Sequence, residues 1–324
     1  MTIRLGFIGF GIMGERLLRA ARAHDPSVVV VSGIHDPAPL AAARLHAIDP
    51  ALPVFASADA LIAASDCLHI ASPPRSHLGY LAQCAAAGRA ALCEKPLATD
   101  VAAARSAVQA LNRQRMRAGV NFPFASSFAV EQLRRWIDEG RVGTPTRLDI
   151  EIGFATWPRR WQADAASWLD GPAEGGFTRE VGSHLLFLSQ RLLGPLALTS
   201  ARTLAPADGR SERRIDARFA AGGVPATLSG AVGTTTKDDH HTWTLSGSEG
   251  RIRLRDWSFA EREVDGRWLA APDAIPNEQA RPLVLARQLD KLAAMTRGEP
   301  TTLASLDEAL AVQVIVESIL AARD

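Results

Sequence analysis

The chain has 324 residues, 47% hydrophobic and 22% charged, which suffices for two buried cores and excludes a disordered or fibrous protein. A formal net charge of +1, one tyrosine and no basic run leave neither an electrostatic nor a stacking platform for nucleic acid or an anionic membrane. Cys67, Cys84 and Cys93 form no metal-ligand spacing and no even disulfide set, and read as core residues in a reducing cytoplasm. The apolar start is too short to span a membrane and lacks the cleavage region of a signal peptide, so the expectation is a cytoplasmic chain.

In chain order, short β-branched runs at 3–8, 28–34, 67–70, 90–93 and 118–120 read as strands. Alanine-rich stretches at 12–23, 40–46, 76–87 and 100–113 read as the helices between them. Strands that are nearly continuous apolar runs belong to a parallel sheet covered on both faces. The first third is therefore an α/β domain of the doubly wound kind, over 1–120. From 121 the pattern changes. A helix over about 125–139 ends at Gly140, and a longer strand over 147–155 follows. Thr242-Trp243-Thr244-Leu245 and Arg251-Ile252-Arg253-Leu254-Arg255 alternate with a period of two, the mark of an antiparallel sheet with one wetter face. Helices near 283–296 and 306–322 close the chain, the last opened by a capping box, Ser305 with Glu308. The predicted fold is an α/β Rossmann domain plus an α+β domain, 121–324, with a large, mostly antiparallel open sheet for substrate binding and oligomerisation. Its terminal helices are free to return to the first domain.

Gly9-Phe10-Gly11-Ile12-Met13-Gly14 leaves the first strand and opens the first helix. The first glycine permits the tight turn, the second lets backbone approach a pyrophosphate, and the third allows close helix–strand packing. The helix N-terminus adds unpaired N–H groups and a positive dipole. Asp36, just past the second strand, is placed to accept the adenosine ribose hydroxyls and to repel a 2′-phosphate, which favours NAD over NADP. The alternative reading makes Asp36 a turn residue before Pro37.

Two further segments leave strands at the same carboxyl edge of the sheet: Ser72-Pro73-Pro74-x-x-His77 and Cys93-Glu94-Lys95-Pro96. A lysine beside a cationic nicotinamide and a partly desolvated carbonyl can lose its proton and serve in acid–base chemistry. Taken alone, Lys95 would read as a solvated charge. These motifs, with Gly175-Gly176 and Glu180-x-Gly182-x-His184, make the chain resemble the glucose–fructose oxidoreductase, inositol dehydrogenase and rhizopine-catabolism (Gfo/Idh/MocA) family over nearly its whole length. The resemblance implies cofactor contacts from Gly9 to Gly14 and from Asp36, Ser72, Pro73, His77, Glu94, Lys95 and Asn121. It also implies catalytic roles for Lys95, His184 and Glu180, and a homodimer or homotetramer. Three positions depart from the family pattern. Glu180 replaces the commoner aspartate, Pro123 replaces the arginine of an N-x-R segment, and Phe187 stands where sugar-handling relatives often carry an aspartate.

The implied reaction is reversible hydride transfer between nicotinamide C4 and the hydroxyl or carbonyl carbon of a sugar, polyol or sugar acid. His184 exchanges the hydroxyl proton, Lys95 polarises the oxygen, and Glu180, one helical turn earlier, orients substrate or tunes His184. His184 could instead be a satisfied core histidine, since an apolar run follows it.

Trp157-Pro158-Arg159-Arg160-Trp161, with Trp168 and Arg179, admits two readings: a pocket that stacks an apolar body and clamps a carboxylate, or a surface loop whose arginines pair with acids such as Asp164 and Glu174. The pocket is favoured for Trp157, Arg159, Trp161 and Arg179, and the loop for Arg160. Asp238-Asp239-His240-His241 reads as a solvated loop, because adjacent histidines entering a strand point to opposite sides and would not share a metal. Ser246-Gly247-Ser248-Glu249-Gly250 reads as a tight turn between strands. His24, His35, His46 and His69 carry no usable spacing, and capping or packing is an equal account of His77. Two other functions stay open: an NAD-dependent glycosidase, which leaves the cofactor unchanged overall, and a non-catalytic NAD-binding regulator.

Overall fold

The computed structural model describes residues 1–322, in which two units each gather their own core. The first comprises residues 1–126 and 282–310. It begins with β1 (Ile3–Ile8), α1 (Ile12–Ala23), β2 (Val29–His35), α2 (Pro39–His46), α3 (Ala58–Ala64) and β3 (Cys67–Ile70), and continues with α4 (His77–Ala86), β4 (Ala90–Cys93), α5 (Val101–Arg113) and β5 (Ala118–Val120). The five strands pair in parallel in the order β2-β1-β3-β4-β5. The chain thus moves from β1 to one side and then returns to the other, so the reversal lies between β1 and β3, where sheets of this kind bind ligands. β3 and β4 are buried at every position, which is why they read as continuous apolar runs.

α3 has no counterpart among the predicted helices. It is only seven residues long, its start is set by Ser57, which accepts the Ala60 N–H, and its buried face of Ala58, Leu61 and Ile62 is too short a run for the helical period to stand out. The other difference is long-range. Leu285, Leu289, Leu292, Ala293 and Met295 share a core cluster with Ile3, Leu5, Phe7, Leu17 and Leu18. The first unit therefore takes back a late piece of chain, and the Val120 N–H donates to the Ala304 carbonyl.

The second unit comprises residues 127–281 and those from 311 on. Its elements are α6 (Phe128–Asp138), β6 (Pro145–Phe154), α7 (Ala166–Leu169), α8 (Ser183–Leu193), β7 (Leu196–Leu204), β8 (Arg214–Ala221), β9 (Val224–Val232), β10 (His240–Gly247), β11 (Arg251–Arg255), β12 (Phe259–Val264) and β13 (Arg267–Ala270). α9 (Asn277–Arg297) and α10 (Leu306–Ala321) end the chain. The sheet runs β13-β12-β11-β10-β6-β9-β8-β7, antiparallel throughout except that β6 and β9 are parallel. Alternation sorts its faces. Leu148, Ile150, Ile152, Leu228, Trp243 and Leu245 are buried, while Arg147 and Asp149 form an ion pair on wetter positions, and half-buried Arg253 and Arg255 pair with the buried Glu261. α8 covers the buried side, where the Trp243 indole N–H donates to Ser189 Oγ at 2.9 Å.

α6 starts at Phe128, later than predicted, because Pro123–Ser126 forms a separate 3-10 turn and Ser127 caps the helix by accepting the Val130 N–H. Gly140, at φ +74°, ends that stretch as expected. At α10 the capping box is present in both directions: the Ser305 N–H donates to Glu308 Oε2 at 2.8 Å and the Glu308 N–H to Ser305 Oγ at 3.2 Å. No helix among the described residues is long and apolar enough to cross a membrane.

Candidate functional site

In the first unit, the three glycines after β1 stand in three different environments. Gly9 has φ +89°, and a Cβ there would lie 2.5 Å from the Ser72 nitrogen. A Cβ on Gly14 would lie 2.4 Å from the Gly9 carbonyl oxygen, so α1 could not approach the turn this closely with any other residue. At Gly11 a Cβ would meet nothing within 4 Å. The protein's own packing does not demand a glycine there, and the open space lies over a helix start with no side-chain cap. Unpaired N–H groups beside open space fit a dinucleotide pyrophosphate.

Asp36 braces this turn. Its Oδ2 accepts the Phe10 N–H at 2.6 Å and its Oδ1 the Ala38 N–H at 2.7 Å. Each oxygen keeps lone-pair capacity for a ribose hydroxyl, so the turn role and the cofactor role are compatible. Phe10 itself is a core side chain, 1% exposed, and only its backbone belongs to the turn; Ile12 and Met13 are half-buried beside it.

Three other expected cofactor contacts turn inward. The Glu94 carboxylate is buried and accepts from His69 Nε2 at 3.1 Å and from the Asn121 amide at 2.5 Å. Asn121 Oδ1 in turn accepts from the Gln288 amide at 2.8 Å. Burial pushes the Glu94 carboxyl up, but His69, Asn121 and Lys95 outweigh it and hold it below the usual range. His77 is fully buried, with Nδ1 2.9 Å from the Pro96 carbonyl and Nε2 2.8 Å from that of Ser72. Burial pulls its pKa down, and a neutral ring can donate to one of these carbonyls at a time. The side chains of Glu94, Asn121 and His77 thus brace the two loops at the sheet edge and are not turned out to a ligand. Ser72 Oγ pairs with Ser76 Oγ at 2.6 Å, Pro73 opens the 3-10 turn before α4, and half-buried Lys95 stands on the loop so braced. His69 carries no local signal in the sequence, because its partner Glu94 follows the neighbouring strand, 25 residues along the chain.

In the second unit, Gly176 has φ +99°, and a Cβ there would strike the Glu212 carboxylate at 2.3 Å. Glu212 is buried, which pushes its carboxyl up, and it accepts from the Thr178 backbone at 2.7 Å and the Thr178 hydroxyl at 2.6 Å. This pins the start of Thr178–Gly182, a π-helical turn that runs into α8. His184 lies in the first turn of α8, 8% exposed, edge-on to Trp257 with ring centres 5.5 Å apart. Glu180 lies within the π turn and His184 just beyond it in α8. Glu180 Oε1 accepts from the Gln162 amide at 3.2 Å and lies 3.5 Å from the Arg159 guanidinium.

Arg159, 5% exposed, is the hub of a charged cluster. It donates to Gln162 at 2.8 Å and to Asp239 at 2.9 Å, and lies over the Trp161 ring at 4.6 Å. Asp239 Oδ1 is 3.4 Å from His241 Nε2. Burial would raise the Asp239 carboxyl, but His241 and Arg159 bring it down to about 2. The solvated-loop expectation for this segment fails for a geometric reason. Residues 239 and 241 share one side of the chain entering β10 and turn inward, while His240 turns out to Asp256 at 3.0 Å. That period of two was available in the sequence. Trp257, which touches both His184 and His241, had no local signal.

Two substrate expectations are corrected. Trp157 is 6% exposed and packs edge-on to Phe154 at 5.1 Å, so it is core. Arg179 grips both oxygens of Glu317 at 2.7 Å and donates to the Pro172 and Gly175 carbonyls, which commits its planar fork within the unit. Among the described residues no group of three or more His, Cys, Asp or Glu side chains is disposed to hold a metal ion.

A family model described as "Oxidoreductase family, NAD-binding Rossmann fold" matches residues 3–122, and one described as "GFO/IDH/MocA C-terminal domain" matches residues 130–253. The rhizopine catabolism protein MocA of Rhizobium meliloti is 32% identical over 142 residues, 43% of this chain and 44% of that protein. Inositol 2-dehydrogenase of Pseudomonas savastanoi pv. phaseolicola is 32% identical over 155 residues, 46% of this chain and 45% of the relative. These matches thus span less than half the length of either relative. An oxidoreductase from Agrobacterium radiobacter, solved with NAD+, L-tartaric acid and magnesium, has the same fold at a TM-score of 0.83, covering 99% of this chain and 96% of its own at 18% identity. With the glycine turn at the sheet reversal and both family models matched in sequence order, the chain belongs to the GFO/IDH/MocA family of oxidoreductases, and its first unit is the family's NAD-binding Rossmann domain.

Proposed function

We propose that the chain is an NAD-dependent dehydrogenase or reductase acting on a CH–OH group of a small polar substrate: a sugar, polyol or sugar acid. The observation that carries this reading is the open, uncapped helix start at Gly11, set between two glycines that the protein's own packing requires. A bound nicotinamide supplies the hydride donor or acceptor. The backbone from Gly9 to Gly14 receives the pyrophosphate, and Asp36 accepts the ribose hydroxyls, which favours NAD over NADP. Lys95 is assigned the polarisation of the substrate oxygen and His184 the exchange of its proton. Arg159 and Gln162 hold Glu180 on the same unit as His184, where its carboxylate orients substrate. Trp161, 38% exposed beneath the Arg159 guanidinium, is assigned an apolar contact with substrate. The second unit is assigned substrate binding and association into a homodimer or homotetramer.

The test is turnover of a panel of polyols, sugars and sugar acids with NAD and NADP, read by nicotinamide absorbance. Net NADH formation is expected with at least one member, and Lys95→Ala or His184→Ala should lower kcat by about a hundredfold or more with NADH binding kept. Parental rates in both variants would remove the acid–base assignment. Cleavage of a nitrophenol glycoside without net NADH would replace the reading by a glycosidase, and NAD binding with no turnover by a regulator.

A further inference from the structure

Trp257 occupies a backbone conformation that its side chain disfavours. The connection between β11 and β12 carries positive φ at two consecutive non-glycine residues, Asp256 at +46° and Trp257 at +74°. Positions of this kind select glycine or asparagine, and a bulky aromatic there is uncommon. Such a conformation persists only when its surroundings over-determine it. Here they do so from both sides. Asp256 Oδ1 lies 3.0 Å from His240 Nδ1 and 3.2 Å from the His241 nitrogen, whose N–H it accepts. The Asp256 N–H donates to the His241 carbonyl at 3.0 Å, and Ser258 Oγ donates to the Ile275 carbonyl at 2.8 Å.

What this turn delivers is the indole. Its ring stands at 81° to the His184 imidazole with centres 5.5 Å apart, and at 90° to the His241 imidazole at 5.2 Å. His241 is backed in turn by Phe154 at 5.3 Å and flanked by Asp239 at 3.4 Å. The last torsion of a histidine is broad, so the direction in which each ring nitrogen points is set by the neighbours of the ring and not by an intrinsic rotamer. A ring that exchanges a proton with substrate must hold one nitrogen toward it.

We infer that Trp257 is a positioning residue, kept in a left-handed turn conformation in order to hold the His184 imidazole in the orientation from which it exchanges a proton with substrate. The inference rests on the assignment of proton exchange to His184 made above. It predicts that the turn would accept glycine readily and that the activity would not.

The test uses Trp257→Gly, which suits the backbone, and Trp257→Phe, which keeps an aromatic edge. In Trp257→Gly, kcat is expected to fall at least tenfold while the KM for NAD and the thermal midpoint stay near parental values, and Trp257→Phe should recover to within about threefold. Parental kcat in Trp257→Gly, or a loss that Trp257→Phe does not recover, would overturn the inference. A second readout stands apart from turnover. With ring-labelled histidine, the His184 signal, one of eight and identified by its loss in His184→Gln, should move and broaden in Trp257→Gly. A His184 signal that stays single and unmoved refutes the positioning role even if no substrate is found. Absence of turnover in the parental protein with a displaced His184 signal refutes instead the dehydrogenase reading.

Discussion

Asp239 is where the cluster around His184 can be weighed most directly. Its carboxyl sits at about 2 against an ordinary 3.8, with burial opposing and His241 and Arg159 outweighing it. The side chain is 24% exposed and Arg159 only 5%, so solvent screens the pair little. A carboxyl depressed in the folded chain contributes stability above its unfolded pKa and loses it as pH falls toward the folded one. The gap corresponds to about 2 kcal/mol, present in full above about pH 5 and reduced to roughly half near pH 3. Asp239→Asn keeps the shape and removes the charge, leaving the Arg159 guanidinium to Glu180 at 3.5 Å and Gln162 at 2.8 Å. Urea unfolding of parent and variant should therefore differ by about 2 kcal/mol at pH 7 and by about 1 kcal/mol at pH 3. Equal urea midpoints at pH 7, or a difference that does not shrink on acidification, would refute the argument that Arg159 and His241 together hold this charge.

Gly9→Ala forces a side chain into φ +89° and against backbone atoms of residues 71 and 72 at 2.5 to 2.7 Å. Strain and overpacking together should cost about 2–5 kcal/mol, with NADH affinity down at least tenfold by fluorescence titration; full affinity at the parental melting temperature would remove the glycine's assigned role. Glu94→Gln can keep an amide oxygen where His69 and Asn121 both meet one carboxylate oxygen, but it removes the buried charge and puts an amide donor in place of the other oxygen. A loss of about 2–4 kcal/mol is expected at pH 7, shrinking as pH falls below 4.5, the ordinary value beneath which Glu94 is held. A variant as stable as the parent would mean that the buried network under Lys95 contributes nothing.

What the sequence by itself determined are the features that live within a few residues of one another. Continuous apolar runs made β3 and β4 buried strands, and period-two alternation made β10 and β11 parts of a sheet with two unlike faces. Gly9 and Gly14 are legible because a glycine's backbone freedom and missing Cβ are local properties, and the three motif glycines have the three environments their spacing implies. The tertiary structure decided which charged and polar side chains meet. Arg159 finds Asp239 80 residues away, Arg179 finds Glu317 at a separation of 138, and Asn121 finds Gln288 at 167. Arg159 and Arg179 look alike in sequence, since a guanidinium fork matches a ligand carboxylate and a buried protein carboxylate equally well. Only the partner's position tells them apart. Trp257 is the extreme case, because its place against His184 depends on a turn conformation that its own residue type argues against and that contacts from β10 and Ile275 impose.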